Sequence, residues 1–145
     1  MKTIKFGIKK DLKYGFRETC FGIVVKNDKL MIVKKDGQIS LIGGGIGQNE
    51  THEQCIRREF LEESGYAISN IQEVVCVDYF WLADNKWPLE SLANIYIVQI
   101  DQLSKIKPLE ENHTIEYIDL LKAEELLPLP YHKKAINYYI NNYKK

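Results

Sequence analysis

Cysteine is scarce in this chain, and both a net charge and a long apolar run are missing. Cys20, Cys55 and Cys76 are odd in number, lack CxxC spacing and lie in apolar patterns, which favours reduced core residues over disulfides or a zinc site. No run approaches the roughly 18 apolar residues of a membrane span, and the amino terminus, MKTIKFGIKKDLK, has no apolar h-region. We therefore expect a cytoplasmic protein without a membrane partner.

The charge balance argues against nucleic acid as a bulk partner. The chain has 20 basic and 20 acidic residues, so it offers no net field to attract a phosphate backbone. This neutrality argues against DNA as a partner and disfavours RNA 5′ ends as substrates. A length of 145 residues, 45% of them hydrophobic, is typical of one globular domain, here residues 1–145, and no repeat, linker or low-complexity tract divides it.

The order of predicted elements indicates an α/β fold. Apolar periodicity and turn residues predict strands over 19–26, 30–35, 39–42, 71–82, 91–100 and 114–119, a helix over 51–64, a helical turn over 123–127 and an amphipathic helix over 131–143. The polar stretch 102–113 is predicted to be a surface loop. Strands on both sides of a central helix, followed by a terminal helix, favour a mixed sheet between helical layers.

The central helix is acidic. Thr51 and Gln54 have capping-box spacing, and Gly65 stands where a left-handed helix terminator belongs. Glu59 and Glu63 lie one turn apart, with Glu62 to one side, near a helix C-terminus that disfavours anions.

The crowded carboxylates call for a positive partner. Arg58 stands at i,i+4 from Glu62, but one guanidinium does not neutralise three carboxylates. A hard divalent cation fits better, and Mg²⁺ is the usual choice where phosphates complete the coordination.

Three consecutive glycines, Gly43, Gly44 and Gly45, precede this helix. Such a run is useful where the backbone adopts unusual φ/ψ angles or approaches a ligand closely. Without the acidic helix behind it, a plain flexible turn would be the favoured interpretation.

These two features together resemble the Nudix box, G-x5-E-x7-R-E-U-x-E-E-x-G-U, in which U is a bulky apolar residue. The matching positions are Gly44, Glu50, Arg58, Glu59, Phe60, Glu62, Glu63, Gly65 and Tyr66. The chain departs from the usual pattern at Phe60 and Tyr66, which are aromatic, at Ile42 in place of a frequent proline, and at Gly47 in place of a frequent acidic residue. The last departure weakens an auxiliary metal contact.

The resemblance implies a Nudix α/β/α sandwich that hydrolyses the diphosphate of a nucleotide with Mg²⁺, or Mn²⁺ in its place. It implies metal ligands at Glu59, Glu62, Glu63 and the Gly43 carbonyl, and close approach of the substrate to Gly44 and Gly45. Glu50 and Arg58 are expected to form an ion pair that orients the catalytic carboxylates.

The sequence does not decide which residue is the general base. The resemblance places it in the loop before the last strand, at about Glu111. Glu110 is the near alternative, Glu116 is less favoured, and a box glutamate such as Glu62 is the remaining choice.

Several residues outside the box have two interpretations. Lys34 and Lys35 either contact phosphate or are ordinary surface lysines, and His52 is expected to be exposed rather than a ligand. Four aromatic residues around the turn at 83–88 either stack on a base or belong to the core: Tyr79, Phe80, Trp81 and Trp87.

The expected function is that of a Mg²⁺-dependent pyrophosphohydrolase acting on a small nucleoside diphosphate derivative. The alternatives are a Nudix-fold domain that senses a nucleotide without cleaving it, and an RNA 5′ pyrophosphohydrolase. The sequence leaves open whether the chain is a monomer or a homodimer.

Overall fold

A computed structural model describes residues 1–102, 106–107 and 112–144 of the chain. Nine strands and three helices are found in these residues. In chain order they are β1 (Thr3–Gly7), β2 (Gly15–Ile23), β3 (Val25–Lys26), β4 (Lys29–Lys35), β5 (Gln38–Ser40), β6 (Ile42–Gly45), α1 (His52–Ser64), β7 (Ile68–Ala83), β8 (Trp87–Ile100), β9 (His113–Asp119), α2 (Leu120–Leu126) and α3 (Pro130–Asn142).

A mixed five-stranded sheet forms the centre, in the order β1-β7-β8-β2-β6. The β1–β7 and β2–β8 pairs are parallel, whereas β7–β8 and β2–β6 are antiparallel. The β7–β8 hairpin turns at Asp84 and Asn85, which both adopt the left-handed conformation that Asp and Asn tolerate well. The glycine strand β6 therefore lies at one edge of this sheet.

A second, antiparallel sheet is built on β4, which pairs with β3, β5 and β9. Alternate side chains of β4 enter two different apolar clusters. Leu30 and Ile32 belong to a cluster with α2 and α3, and Met31 and Val33 belong to a cluster with α1. Because side chains alternate along a strand, β4 joins the two halves of the core.

The helices cover opposite faces of the central sheet. α1 packs Cys55, Ile56 and Phe60 against one face, and α3 packs Ala135 and Ile136 against the other. Phe60 occupies the space left by Gly22, where an added Cβ would lie 2.5 Å from the ring. The predicted mixed sheet between helical layers is confirmed.

The amino-terminal strands differ from the sequence prediction. β1 was not predicted, and β2 begins at Gly15 rather than at residue 19. β1 alternates exposed residues with the half-buried Ile4 and Phe6, which is typical of an edge strand that buries one face. Its one lysine, Lys5, is exposed, so the polar character of this stretch did not exclude a strand.

The expectation for the cysteines is met. All three cysteines are free and buried. No helix in the described part of the chain is long and apolar enough to cross a membrane.

Candidate active site

Helix α1 has the ends that its sequence predicts. The Thr51 hydroxyl accepts a hydrogen bond from Gln54 N at 3.1 Å, and the Gln54 side chain accepts one from Thr51 N at 2.9 Å. Gly65 ends the helix with φ of 79°. These caps fix where the helix begins and ends. Its apolar residues Ile56 and Phe60 are buried, and the same face of the helix carries Glu59 and Glu63 toward the sheet rather than toward solvent.

The glycine strand lets the helix carboxylates approach the backbone. Gly43 has φ of +153°, and a Cβ at that position would lie 2.1 Å from the Cys20 carbonyl oxygen. A Cβ on Gly44 would lie 2.6 Å from Glu59 Oε1. Side chains at these two positions would therefore displace either the sheet or the Glu59 carboxylate.

Glu63 is the most enclosed carboxylate of the site. Its side chain has no exposed surface, and its Oε1 accepts a hydrogen bond from Gly43 N at 2.9 Å. Lys35 Nζ lies 2.6 Å from Oε2, although the pair lacks the alignment of a hydrogen bond. Burial raises the pKa of Glu63 to about 7, against the opposing effects of Lys35 and Gly43 N.

Arg58 joins the glycine loop to the helix. Its Nε and Nη2 donate to Glu50 at 2.7 and 2.9 Å, and Nη2 also donates to the Gly45 carbonyl at 3.0 Å. The guanidinium lowers the pKa of Glu50 to about 2, and Glu50 also accepts a hydrogen bond from Gly47 N. The predicted Glu50–Arg58 ion pair is present, and it is bidentate.

Arg58 also reaches the two remaining carboxylates. Its Nη1 lies 3.0 Å from Glu59 Oε1 and 3.1 Å from Glu62 Oε2. Lys35 is a second basic partner of the carboxylates, and its contact with Glu63 was not predicted from the sequence. Within the described ranges, the four carboxylates Glu50, Glu59, Glu62 and Glu63 form ion pairs with two basic side chains, Arg58 and Lys35, so acidic groups outnumber basic ones in these pairs.

The donor set suits a hard divalent cation. Glu59 and Glu62 share the Arg58 Nη1 donor, and Glu63 lies one helical turn beyond Glu59. The N–H of Gly43 points to the free edge of β6, and its carbonyl is expected there too because both groups of a strand residue point to the same side. Among the residues that the structure describes, no three acidic, histidine or cysteine side chains converge into a preformed metal cage. Arg58 and Lys35 hold the carboxylates instead, so the residues fit a metal that rearranges these contacts.

His52 is not the free surface residue that the sequence suggested. Its Nε2 lies 3.0 Å from Glu18 Oε2, and its Nδ1 lies 2.7 Å from the Tyr96 hydroxyl. A carboxylate only accepts hydrogen bonds, so Nε2 is the donor. Asn94 donates to the same Glu18 oxygen at 2.9 Å. This network ties the start of α1 to β2 and β8, and no spacing in the sequence could have revealed it.

An aromatic strip, formed by the Tyr79 and Trp81 rings with Arg17 beside them, lies on the sheet face that carries α3. Trp81 Nε1 donates to Ser91 Oγ at 2.9 Å, and its ring stacks on Tyr79 with centroids 5.7 Å apart. Arg17 pairs with Ser91 across the strands, and an added Cβ on Gly45 would lie 3.7 Å from its guanidinium. The strip therefore runs from the glycine strand to Trp81.

Trp87 lies at the far end of the hairpin. It is 60% exposed and stands four residues beyond Ser91, which is about 13 Å along the strand. Its predicted contact with substrate stays a prediction. The predicted general base Glu111 and its alternative Glu110 lie outside the described residues, and Glu116 is exposed on β9, 3.9 Å from Lys34.

Comparisons with known proteins concern the family and the fold. A family profile described as the NUDIX domain matches residues 17–141. The structure is similar to a MutT NUDIX hydrolase from Burkholderia pseudomallei, with a TM-score of 0.67, 21% identity and coverage of 86% of this chain and 98% of that one. It is also similar to a MutT protein from Bacillus halodurans, with a TM-score of 0.68, 18% identity and coverage of 83% and 80%.

A curated relative is similar over a shorter stretch. The NAD-capped RNA hydrolase NudC of Vibrio atlanticus is 38% identical over 58 residues, which is 37% of this chain and 22% of that protein. The chain thus matches about a fifth of that relative's length. The family profile, by contrast, matches most of the chain and includes the glycine strand, α1 and nearly all of α3, so the chain belongs to the Nudix family.

Proposed function

We propose that this chain is a hydrolase of phosphoanhydride bonds, which cleaves the diphosphate of a nucleoside di- or triphosphate or a related nucleoside diphosphate derivative with Mg²⁺. The observation that carries the proposal is the placement of Glu59 and Glu63 on the buried face of α1, against the backbone of Gly43 and Gly44. Burying carboxylates is costly unless a cation or hydrogen bonds compensate them. A non-catalytic sensing domain would not need this arrangement.

The residues have distinct proposed roles. Glu59, Glu62, Glu63 and the Gly43 carbonyl would hold the metal, which, when bound, neutralises phosphate charge and activates water. Arg58 keeps the loop and the helix in register through Glu50 and Gly45. Glu111 remains the proposed general base, and activity measurements on Glu111→Gln and Glu62→Gln would decide between the loop and the box.

The nucleoside is proposed to lie along the aromatic strip. The strip begins beside Gly45 and offers Arg17 for charge and the Tyr79 and Trp81 rings for stacking. Trp87 would contact only a substrate long enough to reach the hairpin tip. The neutral chain favours small nucleotides over RNA, although the relative that resembles this chain over 58 residues acts on NAD-capped RNA.

The test is a substrate panel scored by phosphate release with Mg²⁺ and with Mn²⁺. The panel contains nucleoside triphosphates, nucleotide sugars, NAD, ADP-ribose, dinucleoside polyphosphates, and capped and triphosphorylated RNA. We expect turnover of at least one small nucleotide, and a loss of roughly 10²-fold or more in Glu59→Gln.

Glu53→Gln is the matched control, because Glu53 is an exposed glutamate on the same helix. We expect it to keep wild-type activity. A folded Glu59→Gln variant with near wild-type turnover would refute the metal assignment, and no turnover of any panel member would favour a sensing domain.

A further inference from the structure

The two oxygens of Glu63 have different environments. Oε1 accepts a well-aligned hydrogen bond from Gly43 N, whereas Oε2 is buried and no described residue donates an aligned hydrogen bond to it. The Lys35 ammonium lies 2.6 Å from Oε2 and is the cation that compensates this oxygen among the described residues. A buried carboxylate oxygen requires a compensating cation, and one that is held by a single ion pair can be exchanged for another.

The two basic side chains of the site differ in how firmly they are held. Arg58 binds Glu50, Glu59, Glu62 and the Gly45 carbonyl with a rigid planar group. Its departure would release the glycine loop from the helix. In the part of the chain that the structure describes, Lys35 makes one ion pair from the end of β4, on a flexible stem that is 41% exposed. Lys35 is therefore the cation that can leave without dismantling the site.

We propose that Lys35 is a resident counter-ion of Glu63, which a divalent metal displaces and which then becomes available to the substrate's phosphate. The inference rests on the proposed function, because it takes Glu63 as a metal ligand. Without metal, the lysine stabilises a buried carboxylate. With metal, its positive charge is released at the edge of the site where the diphosphate is expected. Metal binding would thus prepare the phosphate site.

Lys34 provides a matched control. It is the next residue on β4, so its side chain points to the opposite face of the strand. It is 45% exposed, close to the exposure of Lys35, and lies 3.9 Å from Glu116 rather than near α1. A change at Lys34 removes the same charge from the same strand without altering the environment of Glu63.

The first experiment measures Mn²⁺ affinity by electron paramagnetic resonance for the wild type, Lys35→Gln and Lys34→Gln. A pH of about 8.5 limits competition from protons. Because the metal no longer has to displace a lysine, we expect Lys35→Gln to bind Mn²⁺ roughly threefold to tenfold more tightly than the wild type. Lys34→Gln should match the wild type. Unchanged or weaker binding in a folded Lys35→Gln variant would overturn the inference.

The second experiment uses the unmodified protein, so it stands even where Lys35→Gln does not fold. Amine acylation at Lys35 and Lys34 is followed by peptide mass spectrometry with and without Mg²⁺. We expect Mg²⁺ to raise the rate at Lys35 several-fold because the ammonium is released, with no change at Lys34. An equal rate at Lys35 under both conditions would refute the displacement.

A further variant separates failure of this inference from failure of the proposed function. Glu59→Gln should weaken Mn²⁺ binding whatever Lys35 does. If Mn²⁺ does not bind the wild type, or binds Glu59→Gln equally well, the proposed function fails. If Glu59→Gln binds weakly but Lys35→Gln matches the wild type, only the role of Lys35 is wrong.

Discussion

At the scale of single residues, the backbone position of Gly43 sets the geometry of the site. Its N–H holds Glu63, and its φ of +153° is combined with a close approach to the carbonyl of Cys20. Gly37 provides a contrast. It also has positive φ, +82°, but a Cβ there would meet no atom within 4 Å.

We predict that Gly43→Ala lowers the free energy of unfolding by about 3 kcal/mol or more, because the new methyl group overlaps a strand carbonyl. Gly37→Ala should cost only about 1 kcal/mol, the strain of positive φ alone. Urea denaturation of both variants measures the difference. Equal costs would mean that β6 moves aside without penalty.

Local and non-local residues also differ in how well the sequence predicted them. The helix ends at Thr51, Gln54 and Gly65 were predicted, because a capping box and a left-handed glycine are read within a few residues. The contacts of Lys35 with Glu63 and of His52 with Glu18 were not predicted. They join residues that are distant in sequence, and their positions depend on strand pairing that no local pattern specifies.

At the scale of elements, His132 of helix α3 contacts Leu41, the residue directly before the glycine strand. The ring is fully buried, and its Nδ1 accepts a hydrogen bond from Leu41 N at 3.4 Å. Phe21 and Tyr131 enclose it, with ring centroids 4.4 and 4.8 Å away. Burial lowers the pKa of His132 from 6.5 to about 3. The imidazole is thus neutral in the folded chain.

We predict that His132 makes stability fall with acid. Between pH 6.5 and about 3 the unfolded chain binds a proton that the folded chain excludes, so the contribution is complete above pH 6.5 and is lost as the pH falls, by at most about 1.4 kcal/mol per pH unit. His132→Asn keeps an acceptor for Leu41 N and removes this dependence. Chemical denaturation of both proteins from pH 7.5 to 5 provides the measurement.

The prediction is tested by the difference in unfolding free energy between the wild type and His132→Asn at each pH, not by the wild-type values alone. Glu63 contributes with the opposite sign, because its pKa is raised on folding from 4.5 to about 7. Glu63 is the same in both proteins, so its contribution cancels. Parallel curves would show that the buried imidazole does not couple folding to pH.

The β7–β8 hairpin is a second element with a testable role. Trp81 is anchored to Ser91 and Tyr79, whereas Trp87 is largely exposed beneath Lys86, whose Nζ lies 5.5 Å from its ring centroid. We predict that Trp87→Ala raises KM more than it lowers kcat, because stacking on substrate is uniform binding. Its melting temperature should hardly change, whereas Trp81→Ala should lower both affinity and melting temperature.

Steady-state kinetics on a substrate found in the panel, together with thermal melts, checks this prediction. An unchanged KM and a melting temperature several degrees lower in Trp87→Ala would identify a structural tryptophan. Trp87 would then no longer be a candidate for substrate binding.

At the scale of the whole molecule, strand β4 makes one folded unit out of two apolar clusters. Leu30 enters the cluster beneath α2 and α3, and the adjacent Met31 enters the cluster beneath α1. Both side chains are buried. A cavity on either side of this strand therefore weakens a structure that the two clusters share.

We predict a single cooperative unfolding transition, which tests whether residues 1–145 form one domain. Leu30→Ala and Met31→Ala should each lower stability by roughly 2–5 kcal/mol, and the midpoints seen by far-ultraviolet circular dichroism and by tryptophan fluorescence should move together. Leu121→Ala, at an exposed leucine, is the control and should shift neither probe. Trp81 and Trp87 both lie in the β7–β8 hairpin, so the fluorescence reports on that hairpin. If the two clusters unfolded as independent units, the circular dichroism of Met31→Ala would change at lower denaturant than in the wild type. The midpoint seen by fluorescence would then stay in place.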